Sequence, residues 1–249
     1  MSLDGAWNKK RIVLLIDEFS YIYGEIVAGY IPETIMKNWK ALLQENLFSA
    51  VLVGQDVMPR FKQKYPNEFG ATQDERVSYL KREDAIKLID EPIRTAGGKG
   101  ESRYRERAID RIVDLTSGSP FYIQIICNRL VEYMNCKRAK YVTEADVEQV
   151  KRDLIRGVNA LDEDKFDNLV NSGDTSKDAI EDSDVRKVLK AIAMHCTTGP
   201  CNRINISCET KQPVDFILDD LVKRDVIERE REHYFSIKVG LFREWLMLH

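Results

Sequence analysis

The stretch RIVLLIDE, residues 11–18, is a run of apolar side chains that ends in two carboxylates. Consecutive apolar positions without alternation are typical of a parallel strand that is buried on both faces. Asp17 and Glu18 follow this run directly. Open α/β sheets bind their ligands at the carboxyl ends of their strands. The stretch therefore predicts a ligand site at the end of a buried strand.

The residues that follow predict an α/β sheet. Residues 34–44 carry apolar side chains at helical spacing, and residues 48–53 form a second apolar run that ends just before Gln55. A short run at 77–80 is a candidate third strand. The order strand, helix, strand predicts a βαβ arrangement.

Beyond residue 80 the sequence is mainly helical and ends in a small hairpin. Thr143 is followed by acidic residues, so we expect it to cap a helix. Two short strands, 226–229 and 234–238, flank a charged turn, and helices followed by such a hairpin are typical of a winged helix. The predicted helices are 82–90, 104–116, 121–134, 143–156, 184–196, 213–224 and 241–248.

Two adjacent carboxylates at a strand end suit the hydrolysis of a nucleoside triphosphate. That reaction needs Mg²⁺ beside the β- and γ-phosphates and a base that positions the attacking water. Asp17 lies where the metal would be, and Glu18 where the water would be. The alternative is a strand whose acidic end merely caps a neighbouring helix.

Motifs along the chain resemble those of STAND/AAA+ P-loop ATPases, in particular the prokaryotic ATPases with a C-terminal winged helix. LLIDEF, residues 14–19, is similar to that family's Walker B strand, and VLVGQ, residues 51–55, is similar to its sensor strand. The other motifs follow in the family's order: 79–85 and 91–93 for the start of a helical lid, LTSGSPFYIQ at 115–124 for the Gly-x-Pro lid motif, and 234–236 with 241–246 for the end of the winged helix.

The resemblance implies a role for each candidate residue. Asp17 would hold Mg²⁺ through water, and Glu18 would orient the hydrolytic water. Gln55 would be the polar sensor of the γ-phosphate. Gly118 and Pro120 would belong to the lid, with Pro120 near the adenine, coupling nucleotide state to lid position. Without the resemblance, Gln55 is an ordinary strand-end residue, and Gly118 and Pro120 form an ordinary helix break.

The resemblance also implies a fold class and a domain map. The fold is α/β, with a partial parallel P-loop-type sheet, a helical lid and a winged-helix domain. Residues 1–80 would form the partial nucleotide-binding core and 81–160 the lid. The polar, acid-rich segment 161–182 would be a linker, and 183–249 would form the winged helix.

The sequence departs from this family in lacking the phosphate-binding motif Gly-x-x-x-x-Gly-Lys-Ser/Thr. The glycine-rich segment 95–102 has neither the required spacing nor a Ser or Thr after its lysine, so it is predicted to be a loop. We expect the intact protein to use Mg²⁺ and ATP as a switch ATPase. We expect neither to bind this chain tightly, because the motif's amides and lysine cradle the phosphates. Truncation explains the missing motif most simply, and a naturally degenerate ATPase is the alternative.

The missing motif also bears on partners. In the family the phosphate-loop strand lies beside the sensor strand, so its absence leaves strand edges unpaired. Unpaired edges predict self-association or strand exchange. A protein partner or an effector domain is expected in the intact protein.

Charge and composition favour some partners over others. The formal net charge is −3, and the helix predicted at 213–224 carries Asp215, Asp219 and Asp220. Nucleic-acid-binding domains are usually basic, so packing or regulation by the C-terminal domain is favoured over DNA binding. A replication-initiator-like DNA-binding ATPase and a non-enzymatic winged-helix interaction module remain as alternatives.

Compartment and metal content follow from the cysteines and the hydropathy. No apolar run reaches the roughly 18 residues of a membrane span, and no membrane role is expected. Five scattered cysteines do not suggest a disulfide framework, so the cytoplasm is predicted. His195, Cys196, Cys201 and Cys208 lack the common zinc-ligand spacing, which favours inert thiols over a zinc site.

Overall fold

The computed structural model describes residues 12–45, 48–95, 100–158, 160–176, 178–195 and 199–249. These residues form an α/β protein made of two compact units. The first unit contains the described residues up to Glu75 together with Asn171–Ile180. The second contains Arg76–Val170 and Glu181–His249. Residues 96–99 of the predicted glycine-rich loop lie outside the described residues.

The first unit is built on two parallel strands, β1 (Ile12–Ile16) and β2 (Phe48–Leu52). Leu14 is paired with Ala50, so the two strands end side by side. Parallel neighbours need a crossover connection, and helices supply it here. The helices of this unit are α1 (Tyr21–Val27), α2 (Thr34–Gln44) and α3 (Met58–Lys64).

An aromatic core covers one face of this sheet. Phe19, just after β1, stacks on Phe61 of α3 at a centroid distance of 5.7 Å and lies 5.6 Å from Trp39 of α2. Ile16 and Leu52 pack against the same cluster. The inward-pointing positions of both strands therefore supply the hydrophobic burial of this unit.

The prediction that β1 is buried on both faces is wrong, because the other face of the sheet is exposed among the described residues. The outward side chains of Val13, Leu15 and Val51 are 55%, 77% and 50% exposed. Within the part of the chain that the structure describes, helices pack on one face only. The continuous apolar run thus forms a strand as predicted, but only its inward positions are covered.

The prediction of a third strand at residues 77–80 is also wrong. This segment is extended but joins no sheet among the described residues, and Val77 is almost fully exposed. The amide of Leu80 donates instead to the carbonyl of Gly118 at 2.9 Å. The segment is therefore tied to a helix break and not to β2.

The second unit combines a helical part with a small antiparallel sheet. The sheet has the order β3-β5-β4, with strands β3 (Cys201–Asn202), β4 (Ile227–Arg231) and β5 (Tyr234–Ile237). Its helices are α4 (Arg82–Asp90), α5 (Ala108–Thr116), α6 (Pro120–Lys137), α7 (Glu144–Arg156), α8 (Asp167–Val170), α9 (Asp182–His195), α10 (Val214–Lys223) and α11 (Gly240–Leu246).

Most predicted elements of this unit are confirmed. The predicted helix 82–90 matches α4, and the hairpin strands lie within two residues of their predicted bounds. The predicted helix 104–116 begins only at Ala108, since Tyr104 instead bridges to Val142. The two-residue strand β3 was not predicted. No described helix is long and apolar enough to cross a membrane.

Stacked aromatic rings form the centre of the second unit. Phe166 lies 5.6 Å from Tyr122 of α6, 4.9 Å from Phe242 and 5.2 Å from Trp245, both of α11. The indole of Trp245 donates to the carbonyl of Leu161 at 3.0 Å. The helices after residue 80 and the C-terminal hairpin region therefore share one core.

Candidate functional site

The end of β1 presents two exposed carboxylates on a rigid frame. Val53 donates its amide to the carbonyl of Ile16 at 2.9 Å, and Phe19 donates to the carbonyl of Val53 at 2.8 Å. Asp17 and Glu18 lie between these two sheet contacts, and both are exposed. The pairing with the chain after β2 thus holds the acids at the strand end, as the sequence predicted.

Glu18 has an unusual backbone conformation. Its φ is 53°, in the left-handed region that residues other than glycine rarely adopt. Its amide donates to Oδ1 of Asp17 at 2.9 Å, and the next residues, Phe19 and Ser20, are buried. Backbone strain of this kind costs about 1–3 kcal/mol and is often found at functional sites. The anchored neighbours hold Glu18 in this conformation.

Gln55 meets Glu18 at the ends of the two strands. Its Nε2 donates to Oε2 of Glu18 at 3.3 Å, although the residues are 37 positions apart in the chain. Its backbone amide donates to Oγ of the buried Ser20 at 3.2 Å. The structure therefore brings together three of the predicted site residues, Asp17, Glu18 and Gln55.

Ser20 and Gly54 belong to this site but were not predicted. A Cβ on Gly54 would lie 3.1 Å from Cβ of Ser20 and 2.6 Å from Cγ of Met58. Only glycine lets the two strand ends approach this closely. The glycine beside Gln55 was the one available signal in the sequence, whereas the partner of Ser20 depends on the tertiary fold.

The donor atoms at this strand end fit a hard cation in part. Mg²⁺ is typically held by one or two carboxylates together with phosphate oxygens and waters. In the described residues Oδ2 of Asp17 accepts no hydrogen bond, so it is available to a ligand. No group of three or more potential metal-ligating side chains occurs among those residues. The strand end could thus supply part of a magnesium site, with the remaining ligands coming from phosphate and water.

The predicted lid residues lie in the second unit and form a tight helix break. Ser117 and Gly118 both have positive φ, at 50° and 80°. A Cβ on Gly118 would lie 2.4 Å from the carbonyl oxygen of Leu80, so this position requires glycine on two grounds. Pro120 is the first residue of α6, where its missing amide is no loss, and it is exposed.

The charges of α10 bear on nucleic-acid binding. Asp215 accepts from Arg203 Nε at 2.6 Å and from its Nη2 at 3.2 Å, and this contact holds the pKa of Asp215 below its usual range. Asp219 is paired with Arg229 of β4. Basic side chains of the hairpin region are thus partly neutralised by the acids of the helix.

The candidate zinc residues do not form a cluster in the described residues. Cys201 is buried in β3 and Cys208 is half-buried, while Cys196 lies outside the described residues. Burial raises the pKa of the Cys208 thiol. A raised thiol pKa disfavours the thiolate that binds metal.

Comparison with protein-family models and with curated proteins finds no match for this sequence.

Proposed function

We propose that the end of β1 is the carboxylate part of a magnesium–nucleotide site in a cytoplasmic STAND/AAA+ switch ATPase. The observation that carries the proposal is the hydrogen bond from Gln55 to Glu18, at the adjoining ends of two parallel strands, with Asp17 beside it. Polar groups gathered at this edge of a parallel sheet are where open α/β proteins bind ligands.

Each side chain has a distinct task in this proposal. Mg²⁺, when bound with ATP, would neutralise charge on the phosphates. Asp17 would hold the ion through water, and Glu18 would orient the attacking water. Gln55 would fix the Glu18 carboxylate through its Nε2 and act as the sensor.

The element order of the second unit supports the lid and winged-helix assignments. Helices α4 to α7 follow the sheet in the chain, as in a lid. Helix α9, strand β3, helix α10 and the β4–β5 hairpin then follow, with β5 between the other two strands. This order and pairing are what we expect of a winged helix.

Magnesium titration tests the proposed site. We expect Mg²⁺ to shift the side-chain carboxyl NMR signals of Asp17 and Glu18 in a saturable way, and Asp17→Asn to remove the shift at Glu18. Glu75→Gln is the matched control, because Glu75 is an exposed acid of the same unit. Equal shifts at carboxylates throughout the surface would count against the proposal.

Nucleotide binding tests the role of the missing motif. We expect Mg·ATP to bind this chain with a dissociation constant well above micromolar and to be hydrolysed very slowly. Isothermal titration calorimetry measures the first and phosphate release the second. Micromolar affinity would contradict the argument that the absent phosphate-binding motif supplies most of the binding.

The sheet face that the described residues leave uncovered favours a second function, as an interaction surface for another copy of the chain. Val13, Leu15, Val51 and Val53 form an exposed apolar row on one face of β1 and β2. Unpaired strand edges beside such a row favour strand addition. We therefore propose self-association through this sheet, with or without strand exchange.

Leu15→Lys tests this surface. It places a charge on the most exposed position of the apolar row, and we expect it to lower the mass-average molecular weight that light scattering gives at high concentration. Ile204→Lys is the control, since Ile204 is 85% exposed in the second unit. A monomeric parent protein would exclude the self-association.

A further inference from the structure

The segment Asn171–Ile180 belongs to the first unit although its chain neighbours belong to the second. The chain leaves the second unit after Val170 and returns to it at Glu181. We call this segment the strap. Three described residues of the strap, Gly173, Asp174 and Thr175, lie close to residues of the first unit.

Asp174 is the main anchor of the strap. Its side chain is 2% exposed and forms an ion pair with Arg60 of α3. The amide of Ser176 donates to Oδ1 of Asp174 at 2.9 Å, and the hydroxyl of Ser176 donates to Oδ2 at 3.1 Å. A buried carboxylate is stable only when paired and hydrogen-bonded, and here both conditions are met.

Thr175 provides a second contact, with α1. Its Oγ1 lies 3.7 Å from the position that a Cβ would take on Gly24. Thr175 of the strap therefore lies near Gly24 of α1.

Gly173 provides the third contact, with Gln55. It has a φ of 71°, and its amide donates to Oδ1 of Asn171 at 2.7 Å. A Cβ on Gly173 would lie 2.7 Å from Oε1 of Gln55. An added methyl group would push against Oε1, so glycine here leaves room for the Gln55 amide where its Nε2 reaches Glu18.

We propose that the strap positions the side-chain amide of Gln55, and through it the carboxylate of Glu18. Gly173 and Asp174 are positioning residues: the first sets the space around Oε1, and the second fixes the strap on α3. The strap would therefore couple α3 to the strand-end side chains within the first unit. The catalytic meaning of this coupling rests on the function proposed above.

Gly173→Ala tests the contact with Gln55. In ¹⁵N-labelled full chain without metal or nucleotide, we expect the side-chain amide signals of Gln55, assigned by their loss in Gln55→Glu, to shift. Gly29→Ala is the matched control: Gly29 has a φ of 79° in the same unit, but nothing lies within 4 Å of its added Cβ. Unchanged Gln55 signals in Gly173→Ala, or equal shifts in both variants, would overturn the proposal.

Arg60→Met tests the anchor. We expect amide hydrogen exchange to speed up by at least tenfold at residues 172–176 and the Gln55 side-chain signals to move, with Arg60→Lys restoring most of both effects. Lys62→Met is the control on the same helix, because Lys62 pairs with the exposed Asp74. Far-UV circular dichroism verifies that each variant is folded. Gln55 signals that stay in place while the strap exchanges faster would refute the positioning role.

These measurements are independent of the magnesium titration. If the Gln55 side-chain signals shift in the strap variants but Mg²⁺ does not shift the carboxyl signal of Asp17, the positioning role of the strap is supported and the ATPase proposal is wrong. If Mg²⁺ binds at Asp17 but the Gln55 side-chain signals are unchanged in Gly173→Ala, the positioning proposal is wrong and the magnesium site is still supported.

Discussion

At the scale of single residues, Glu18 is the residue of the site with the most distinctive conformation and contacts. It combines a left-handed backbone, an exposed carboxylate and a hydrogen bond from Gln55. A surface acid with no task could relax its backbone or be replaced by glycine without loss. The buried neighbours Phe19 and Ser20 hold it in a conformation that costs free energy.

Gly118 permits a sharp prediction about stability at the same scale. Gly118→Ala would force a side chain into positive φ and against the carbonyl oxygen of Leu80, so we expect it to lower the free energy of unfolding by more than about 2 kcal/mol. Urea unfolding measures this. Gly199→Ala is the control, since an added Cβ there meets nothing within 4 Å. A loss below about 0.5 kcal/mol, ordinary for surface substitutions, would contradict this explanation of the helix break.

At the scale of elements, the cap of α7 links the sequence to pH-dependent stability. Thr143 caps α7 as predicted, and Asp146 closes the capping box by accepting the amide of Thr143 at 2.9 Å. Burial alone would raise the pKa of Asp146, but hydrogen bonds from Lys137 and Thr143 outweigh burial and lower it. The carboxylate is therefore a stronger acid in the folded than in the unfolded chain.

The lowered pKa of Asp146 determines how its contribution to stability depends on pH. The ionised Asp146 contributes its full stability above its unfolded pKa, roughly 4, and the contribution is lost as the pH falls through the lower folded pKa. We expect Asp146→Asn to destabilise the protein by about 1 kcal/mol at pH 7 and by progressively less in acid. Urea unfolding at several pH values measures it, with Glu144→Gln, a half-buried acid of the same helix turn, as control. A deficit that stays constant from pH 7 to pH 2 would rule out this role.

Elements also show how far the sequence determines the fold. Periodicity located α4 and α10, because these helices bury one regular stripe. The apolar run located β1 as a strand but did not show that the described residues cover only one of its faces, since a run of apolar residues does not say what packs on it. The segment 77–80 has strand-forming residues, yet the bond from Leu80 to Gly118 decides its structure.

The candidate site was predictable only in part. Asp17 and Glu18 were identified because they directly follow an apolar run, and Gln55 was identified through the resemblance of residues 51–55 to a sensor strand; the two runs pair in parallel. The strap was not, because residues 171–176 have no local pattern and are placed by Arg60, more than a hundred positions away in the chain. Contacts of that kind arise from the folded structure alone.

At the scale of the whole molecule, the two compact units have separate cores. Phe61 and its aromatic neighbours form the first, and Phe166 with Tyr122, Phe242 and Trp245 forms the second. We therefore expect each unit to have its own stability.

Phe61→Ala and Phe166→Ala test this division. Both side chains are almost fully buried, so each change should cost its own unit about 3–5 kcal/mol. Differential scanning calorimetry should show Phe61→Ala lowering one transition and Phe166→Ala lowering another. A single transition that both variants lower by the same amount would show that the molecule unfolds as one cooperative body.

The central claim is that, at the end of β1, Asp17 binds a divalent cation and Glu18 orients a water molecule. Metal-soaked crystals test this claim most directly. Crystals soaked with Mn²⁺ and ATP should give an anomalous difference peak at Asp17, within about 2–2.5 Å of its carboxylate or one water layer beyond, and Asp17→Asn crystals should lack it. Peaks confined to other surface carboxylates, with none near Asp17 or Glu18, would contradict the account.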